Sequence, residues 1–454
     1  MIDHHGRRDR SVKLDPLKVK NRAEMRGITS LNRFEREFLR YIGQPPDTHS
    51  TAPANAWYGK KLDKNKAMTI AVFLGLNSYE SLLPSRCPDL FYPEPLTWDA
   101  RYSPPGALLK AEYGIVPFHH RRRELEDLAS WCFSDYRLAV RLYTGIGGMG
   151  KTRLAIEQCR QLHEKYHWVT GFLHPKAAIV AVGEAFTWLH EISSPVLIVL
   201  DYVETRRYEL VALLRAAMSS TTKVRVILLA RAASGWWNTL QTEGHGVGDL
   251  LMSSATTRLN LQPLSMTMKE REESYFLAAD HFAHCLTRPP TLTPPLDLGT
   301  DYFERVLLLH MQALIAIEGN QAEQSSQGIL AVVLNRERRF WETQANQRLL
   351  PPSLHKAIGL AMAHITLMGG ARDKASAQQM VDRITLLAGS KRHERQAIVE
   401  LLHSIYPSHV SDYDTQHPHN YIDPLQPDLL GEYLIEEELK DDPTAILRVL
   451  LEAA

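Results

Sequence analysis

A chain of 454 residues with 44% hydrophobic and 23% charged residues has an ordinary globular make-up and room for two to four domains. Its formal net charge is zero, and its four cysteines (Cys87, Cys132, Cys159, Cys285) lack paired spacing, which excludes a disulfide framework and a CxxC zinc site and favours a reducing compartment. The N-terminus, MIDHHGRRDR, lacks the apolar core of a signal peptide, and no apolar run approaches the ~18 residues that would cross a bilayer, so a cytoplasmic protein is expected.

The charge is unevenly spread. Residues 1–66 hold 15 Lys/Arg against 8 Asp/Glu, an excess of +7 that the rest of the chain balances. This head suits an anionic partner such as DNA or an acidic protein surface, or is a solvated basic helix. Residues 12–42 read as a basic amphipathic helix or helix pair carrying Phe34, Phe38, Leu39 and Tyr41. Residues 43–56 are a polar low-complexity stretch. Residues 64–83, KNKAMTIAVFLGLNSYESLL, read as helix, turn at Gly75, and helix with Asn77 or Ser78 as N-cap. The pattern predicts a small all-α head over 1–83, either helix-turn-helix-like or a helical adaptor.

Pro84, Pro88, Pro93, Pro95, Pro104 and Pro105 mark residues 84–115 as an extended linker. From 116 to 265 strand and helix patterns alternate: strands at 137–144, 168–173, 195–202, 223–231 and 256–264, and helices from Lys151, over 177–192 and over 205–219. The run PVLIVLDY has the continuous apolarity of a strand buried on both faces. These segments predict a parallel five-stranded α/β sheet with helices on both faces. Beyond 266 the pattern is helical, interrupted by Pro289, Pro290, Pro294 and Pro295; His281, His284 and Cys285 fall among ordinary helix residues there.

GIGGMGKT (145–152) matches GxxxxGK[ST] between a strand and a helix, as a phosphate cradle requires. Gly145, Gly147, Gly148 and Gly150 allow a tight turn whose N–H groups, with those of Ile146 and Met149, face phosphate oxygens. The helix N-terminus, from Lys151 through Arg153, adds positive potential. Lys151 reaches the β- and γ-phosphates, and Thr152 ligates Mg²⁺. Asp201, ending the run Val196–Leu200, supplies the second Mg²⁺ carboxylate. Glu204 either activates the attacking water or caps the next helix. Arg231 ends a strand at the edge where open α/β sheets bind ligands, placed to contact a γ-phosphate or to remain solvated.

With these motifs in place the chain, from about 116 onward, resembles the STAND class of P-loop NTPases, the regulatory ATPases of immune receptors and bacterial defence sensors. VPFHHRRRELEDLASW is similar to the class's entry motif FxGRxxEL, through Phe118, Arg121, Glu124, Leu125 and Trp131, with His120 where Gly is usual. DYVETR (201–206) and LLAR (228–231) look like the Walker B and sensor segments. LQPLS (261–265) resembles the segment whose proline packs on adenine, which makes Pro263 the candidate, beside Arg121, for nucleotide contact. RERRFW (336–341), TLMGGARDKASA (366–377), SIYP (404–407) and LQPDLLGEYLI (425–435) resemble the helical domain (266–350) and helical or winged-helix domain (351–454) of bacterial members. The resemblance implies that these domains hold an ADP-bound resting state; the residue they offer to the β-phosphate is unassigned, with His417 and His419 as candidates. It also implies an ATP-driven homo-oligomer that signals on a trigger or through a separate sensor. The alternative is a DNA-binding ATPase that uses the basic head.

Overall fold

The five apolar segments between residues 137 and 264 lie side by side in one sheet in the computed structural model of the chain. The structure describes residues 28–45, 50–57, 60–74, 103–174, 186–192, 194–264, 267–290, 297–319, 325–408 and 420–441, with single residues and short pieces between 11 and 26, at 48, and between 90 and 99. The chain divides into two units, residues 1–87 and 88–454.

In the first unit β1 (Ser11–Lys13) pairs antiparallel with β2 (Lys61–Asp63), beside α1 (Leu31–Tyr41), α2 (Thr51–Trp57) and α3 (Lys64–Phe73). Phe34 and Phe38, one helical turn apart, put α1's apolar face on Trp57 and Phe73, with Phe34 ring centroids 5.3 and 5.5 Å from theirs. Arg33, Arg36 and Arg40 stay exposed on the opposite face. Asp63 caps α3 by accepting from the Asn65 N–H at 2.8 Å. This head is therefore not all-α: its first described residues form a strand, because Ser11–Lys13 finds a partner edge 50 residues on. The polar stretch at 43–56 is also not without structure; its alanines and Pro53 enter α2, where a first-turn proline is tolerated. The expected turn and second helix at 75–83 lie outside the described residues.

In the second unit the sheet order is β3-β5-β6-β7-β4-β8. β3 (Leu90–Phe91) is an antiparallel edge; β4 (Leu138–Thr144), β5 (Val169–Leu173), β6 (Val196–Leu200), β7 (Val224–Ala230) and β8 (Thr256–Asn260) are parallel. α4 (Arg122–Phe133) precedes β4, α5 (Lys151–Tyr166) follows it, and α6 (Trp188–Glu191), α7 (Arg207–Ser219), α8 (Gly235–Gln241) and α9 (Val247–Met252) fill the later crossovers. Every position of β6 and β7 is buried, as the apolar run of β6 requires and despite Arg225 in β7. Arg225 is buried among them at 0% exposure, with no carboxylate partner among the described residues. Its guanidinium instead donates to the carbonyls of Trp131 (3.2 Å) and Ser134 (2.8 Å), satisfying the end of α4, and lies 5.7 Å from the Trp131 ring.

Among the described residues the C-terminal region adds seven helices: α10 (Met268–Leu286), α11 (Val306–Ile317), α12 (Ser326–Gln347), α13 (His355–Leu367), α14 (Lys374–Asp382), α15 (Arg392–Ile405) and α16 (Asp428–Asp441). Thr267 and Glu270 start α10 with a reciprocal capping box, 3.2 and 3.0 Å. Among the described residues, 351–441 is helical and carries one antiparallel bridge, Ala371 to Ile422. The extended-linker expectation for 84–115 fails in its second half. Pro105–Leu109 and Ala111–Tyr113 are 3-10 turns, and Ala107, Leu108 and Leu109 are buried, the two leucines within the helical core. Pro104 and Pro105 start a turn there rather than stiffen a spacer. Glu337, fully buried on α12, fixes that turn by accepting the Gly106 N–H, and also accepts from the Tyr406 hydroxyl at 3.0 Å. Among the described residues no helix is long and apolar enough to cross a membrane.

Candidate nucleotide site

The loop between β4 and α5 sits at the carboxyl edge of the sheet, with β7 and β8 on either side of β4. Among the described residues, the backbone N–H groups of residues 146–152 have no hydrogen-bond partner. A run of unpaired amides on a helix N-terminus is what an anion completes. Lys151 folds back and donates to the Gly145 carbonyl and, at 3.2 Å, to that of Ile146; burial holds its pKa below the usual lysine range. β7 separates β6 from β4, yet Asp201 at the end of β6 meets the loop: the Thr152 hydroxyl donates to its Oδ2 at 2.8 Å. Burial pushes the Asp201 carboxyl up to about 6, opposed by its hydrogen bonds from Thr152 and the Tyr202 N–H. A hydroxyl and a carboxylate in contact at a phosphate cradle fit Mg²⁺ as oxygen ligands.

Glu204 lies in a 3-10 turn after Asp201 and accepts the Arg231 N–H at 3.2 Å, while its Oε2 is buried with no partner among the described residues. It binds the β7 end, not the helix that comes next. The Arg231 carbonyl in turn accepts the Gly145 N–H at 3.2 Å, so one residue joins the acid to the phosphate loop.

The helical region closes the site from the other side. The Leu307 N–H donates to the Gly148 carbonyl at 3.1 Å. A Cβ at Gly148 would stand 2.9 Å from Leu429 Cδ1 and 3.1 Å from Leu307 Cβ, and one at Gly147 would stand 3.2 Å from Leu429 Cδ2. These two glycines are thus needed for leucines to rest on the loop, and Gly148 also for its φ of +82°. Asp428 accepts from the Tyr202 hydroxyl, which burial and the neighbouring carboxylates keep protonated. The Arg231 guanidinium is paired with Glu432 and lies 3.9 Å from Asp428.

A cavity of about 260 Å³ runs along these residues. Its lining includes Lys151, Thr152, Asp201, Glu204 and Arg231, together with Val116, Phe118, His119, Val306 and His310. Gly147, Gly148, Met149, Gly150 and Arg153 line it too. Arg121 reaches it, but at 3% exposure its guanidinium is committed to Met149 O (3.0 Å), Gln262 O (2.8 Å) and Glu124 (2.6 Å). It clamps the loop to the segment after β8 instead of offering itself to a base. Pro263 is not in the lining; its neighbour Leu264 is. His120, in the place of the usual glycine, takes the left-handed conformation at φ +55°, which explains why glycine suits that position. His417 and His419 lie outside the described residues. Leu307, His310, Asp428, Leu429 and Glu432 were not found by motif; the spacing of Asp428, Leu429 and Glu432 at i, i+1 and i+4 in LQPDLLGEYLI was the available signal that one helix face points to the loop. Together these are the parts of a P-loop ATPase site.

No protein-family model and no curated protein matches the chain. Solved structures that it resembles include a Walker-type ATPase of Pyrococcus abyssi, at 14% identity over 69% of this chain and 95% of that one, TM-score 0.31. Others are the ORC2 protein of Aeropyrum pernix in ADPNP-ADP complexes (15%, 75% and 98%, TM-score 0.32) and Cdc6p of Pyrobaculum aerophilum (12%, 74% and 89%, TM-score 0.30). Likenesses at that depth decide nothing about the chemistry of this chain, which rests on its own residues.

Proposed function

We propose that the chain is an ATP-binding, slowly hydrolysing P-loop ATPase acting as a STAND-type switch: ADP keeps the helical region seated on the loop, and ATP releases it to assemble for signalling or defence. The observation that carries this reading is the Arg231 pairing. Arg231 stands at the strand edge where a γ-phosphate would lie, and its guanidinium is engaged by Glu432, with Asp428 at 3.9 Å, both from α16. A γ-phosphate and these carboxylates compete for the same cation, so ATP and ADP differ in their affinity for the seated state. Only such a difference moves a conformational equilibrium.

Thr152 and Asp201 would hold Mg²⁺, which supplies charge neutralisation across the β- and γ-phosphates. Lys151 and the free amides of 146–152 bind the phosphates. Glu204 orients water, and its bond to the Arg231 N–H makes it sensitive to how that strand end is engaged. Hydrolysis then resets the switch.

Mass photometry of the purified chain with ADP and with ATP·Mg²⁺ tests the reading. Assembly with ATP alone is expected, lost in Lys151→Ala and reached at lower ATP concentration in Glu432→Ala. Assembly unchanged in Lys151→Ala would sink the switch. A second reading, a DNA-bound ATPase, is favoured by the exposed Arg33, Arg36 and Arg40 face of α1. It expects steeply salt-dependent duplex binding that disappears when those three residues become glutamine.

A further inference from the structure

One helical turn from residues that touch the phosphate loop, a helix presents an imidazole with no hydrogen-bond partner among the described residues. α11 reads VLLLHMQALIAI, and helical spacing puts Val306, Leu307 and His310 on one face; all three line the cavity. Val306 and Leu307 abut the phosphate loop, the Val306 Cγ1 lying 3.7 Å from where a Gly150 Cβ would stand. His310 therefore sits one helical turn, about 5.4 Å, beyond the phosphate cradle.

Among the described residues neither ring nitrogen of His310 has a hydrogen-bond partner, and its Nε2 is buried. The adjacent His119 differs. Its ring stacks 6.3 Å away, but its Nδ1 is bonded to the Pro117 carbonyl at 2.8 Å and its Nε2 to the Ser274 hydroxyl at 3.1 Å. Val116, buried in the same wall, has a backbone N–H and C=O that find no partner among the described residues. A polar ring left unbonded in a largely apolar helix costs stability that a leucine there would not. The position makes sense if a ligand atom completes it.

We propose that His310 hydrogen-bonds the edge of the nucleotide's base and so helps to set which base the cavity accepts; this rests on the nucleotide reading above. The ring is held neutral, since burial pushes its pKa down to about 3. A neutral imidazole offers one N–H and one lone pair, the pattern of a base edge, whereas an imidazolium would draw the phosphates inward instead.

Calorimetric titration of the full chain with ADP and with inorganic tripolyphosphate, a base-free probe, separates the two claims. His310→Leu weakens ADP about tenfold, the scale of one hydrogen bond, and leaves tripolyphosphate unchanged; His310→Gln, which keeps a donor and an acceptor, recovers most of the loss. Equal ADP affinity in wild type and His310→Leu, or equal losses for both probes, overturns the base contact. A wild-type chain that binds neither probe overturns the nucleotide reading itself. Should the leucine variant fail to fold, histidine ¹⁵N spectra of the wild type decide. The His310 ring resonance, assigned with His310→Gln, must move on adding ADP and not on adding tripolyphosphate; a resonance that ignores ADP overturns the proposal.

Discussion

The two walls of the nucleotide cavity are made differently. The sheet wall is local: eight consecutive residues, a strand end and a helix start place the amides, Lys151 and Thr152 together, and Asp201 and Arg231 join them from parallel strand ends. The helical wall is dispersed, with contributions from a 3-10 turn near 108, from α11 and from the start of α16, more than 300 residues apart. The first wall is fixed by backbone geometry and tolerates change elsewhere. The second has its own helical core and meets the first through Leu307 and Leu429 at Gly147 and Gly148.

The largest effect should come from the sheet wall. Lys151→Ala lowers nucleotide affinity by at least about 100-fold, roughly 2.7 kcal/mol, in a fluorescent ADP titration; a loss under threefold would mean that the helical wall does most of the binding. Gly148→Ala strikes where the walls touch. A left-handed alanine costs about 1–2 kcal/mol and the overlap with Leu429 and Leu307 about as much again, so the melting temperature falls by several degrees. An unchanged melting temperature would show that the leucines do not rest on the loop.

Glu337 tests the helical wall alone. Burial raises its carboxyl above the usual range, so the native state binds its proton more tightly than the unfolded chain. Its contribution is fully present below the unfolded value and is lost as pH rises through the raised native one, about 1.4 kcal/mol per unit of elevation. Melting curves from pH 4 upward should therefore decline in the wild type and flatten in Glu337→Gln; the same slope in both would remove Glu337 from the account. The smallest effect is His120→Gly at the entry to the cavity. Relief of the left-handed histidine, offset by the entropy of glycine in the unfolded chain and loss of a 3.6 Å contact with Glu273, leaves a gain of about 0.5 kcal/mol, seen as a slightly higher denaturant midpoint.

The same division explains what could be read in advance. The strand β6 was legible because a doubly buried strand needs an unbroken apolar run, and the phosphate loop because its chemistry is written in adjacent residues. Arg121 was legible as important, but its use as a clamp on Met149 and Gln262 depends on a segment 141 residues away. Leu264 and not Pro263 lines the cavity, since the side of a loop that faces a cavity is set by the packing around it. Pro104 and Pro105 looked like linker because proline marks turns and spacers alike, and only the burial of Ala107 to Leu109 tells them apart. Leu307, His310, Leu429 and Glu432 sit in stretches whose periodicity announces a helix and not what its face will meet.

The bond from the Leu307 N–H to the Gly148 carbonyl gives the molecule its own gauge. The first-turn amides of a helix have no partner within it, and here one of them borrows its acceptor from the phosphate loop. Its proton should therefore trade with deuterium at a rate set by how often α11 leaves the loop, slow while the two are seated and fast once they part. A single amide, read by hydrogen exchange with ADP and then with ATP, would time the opening of the site without a label or a partner.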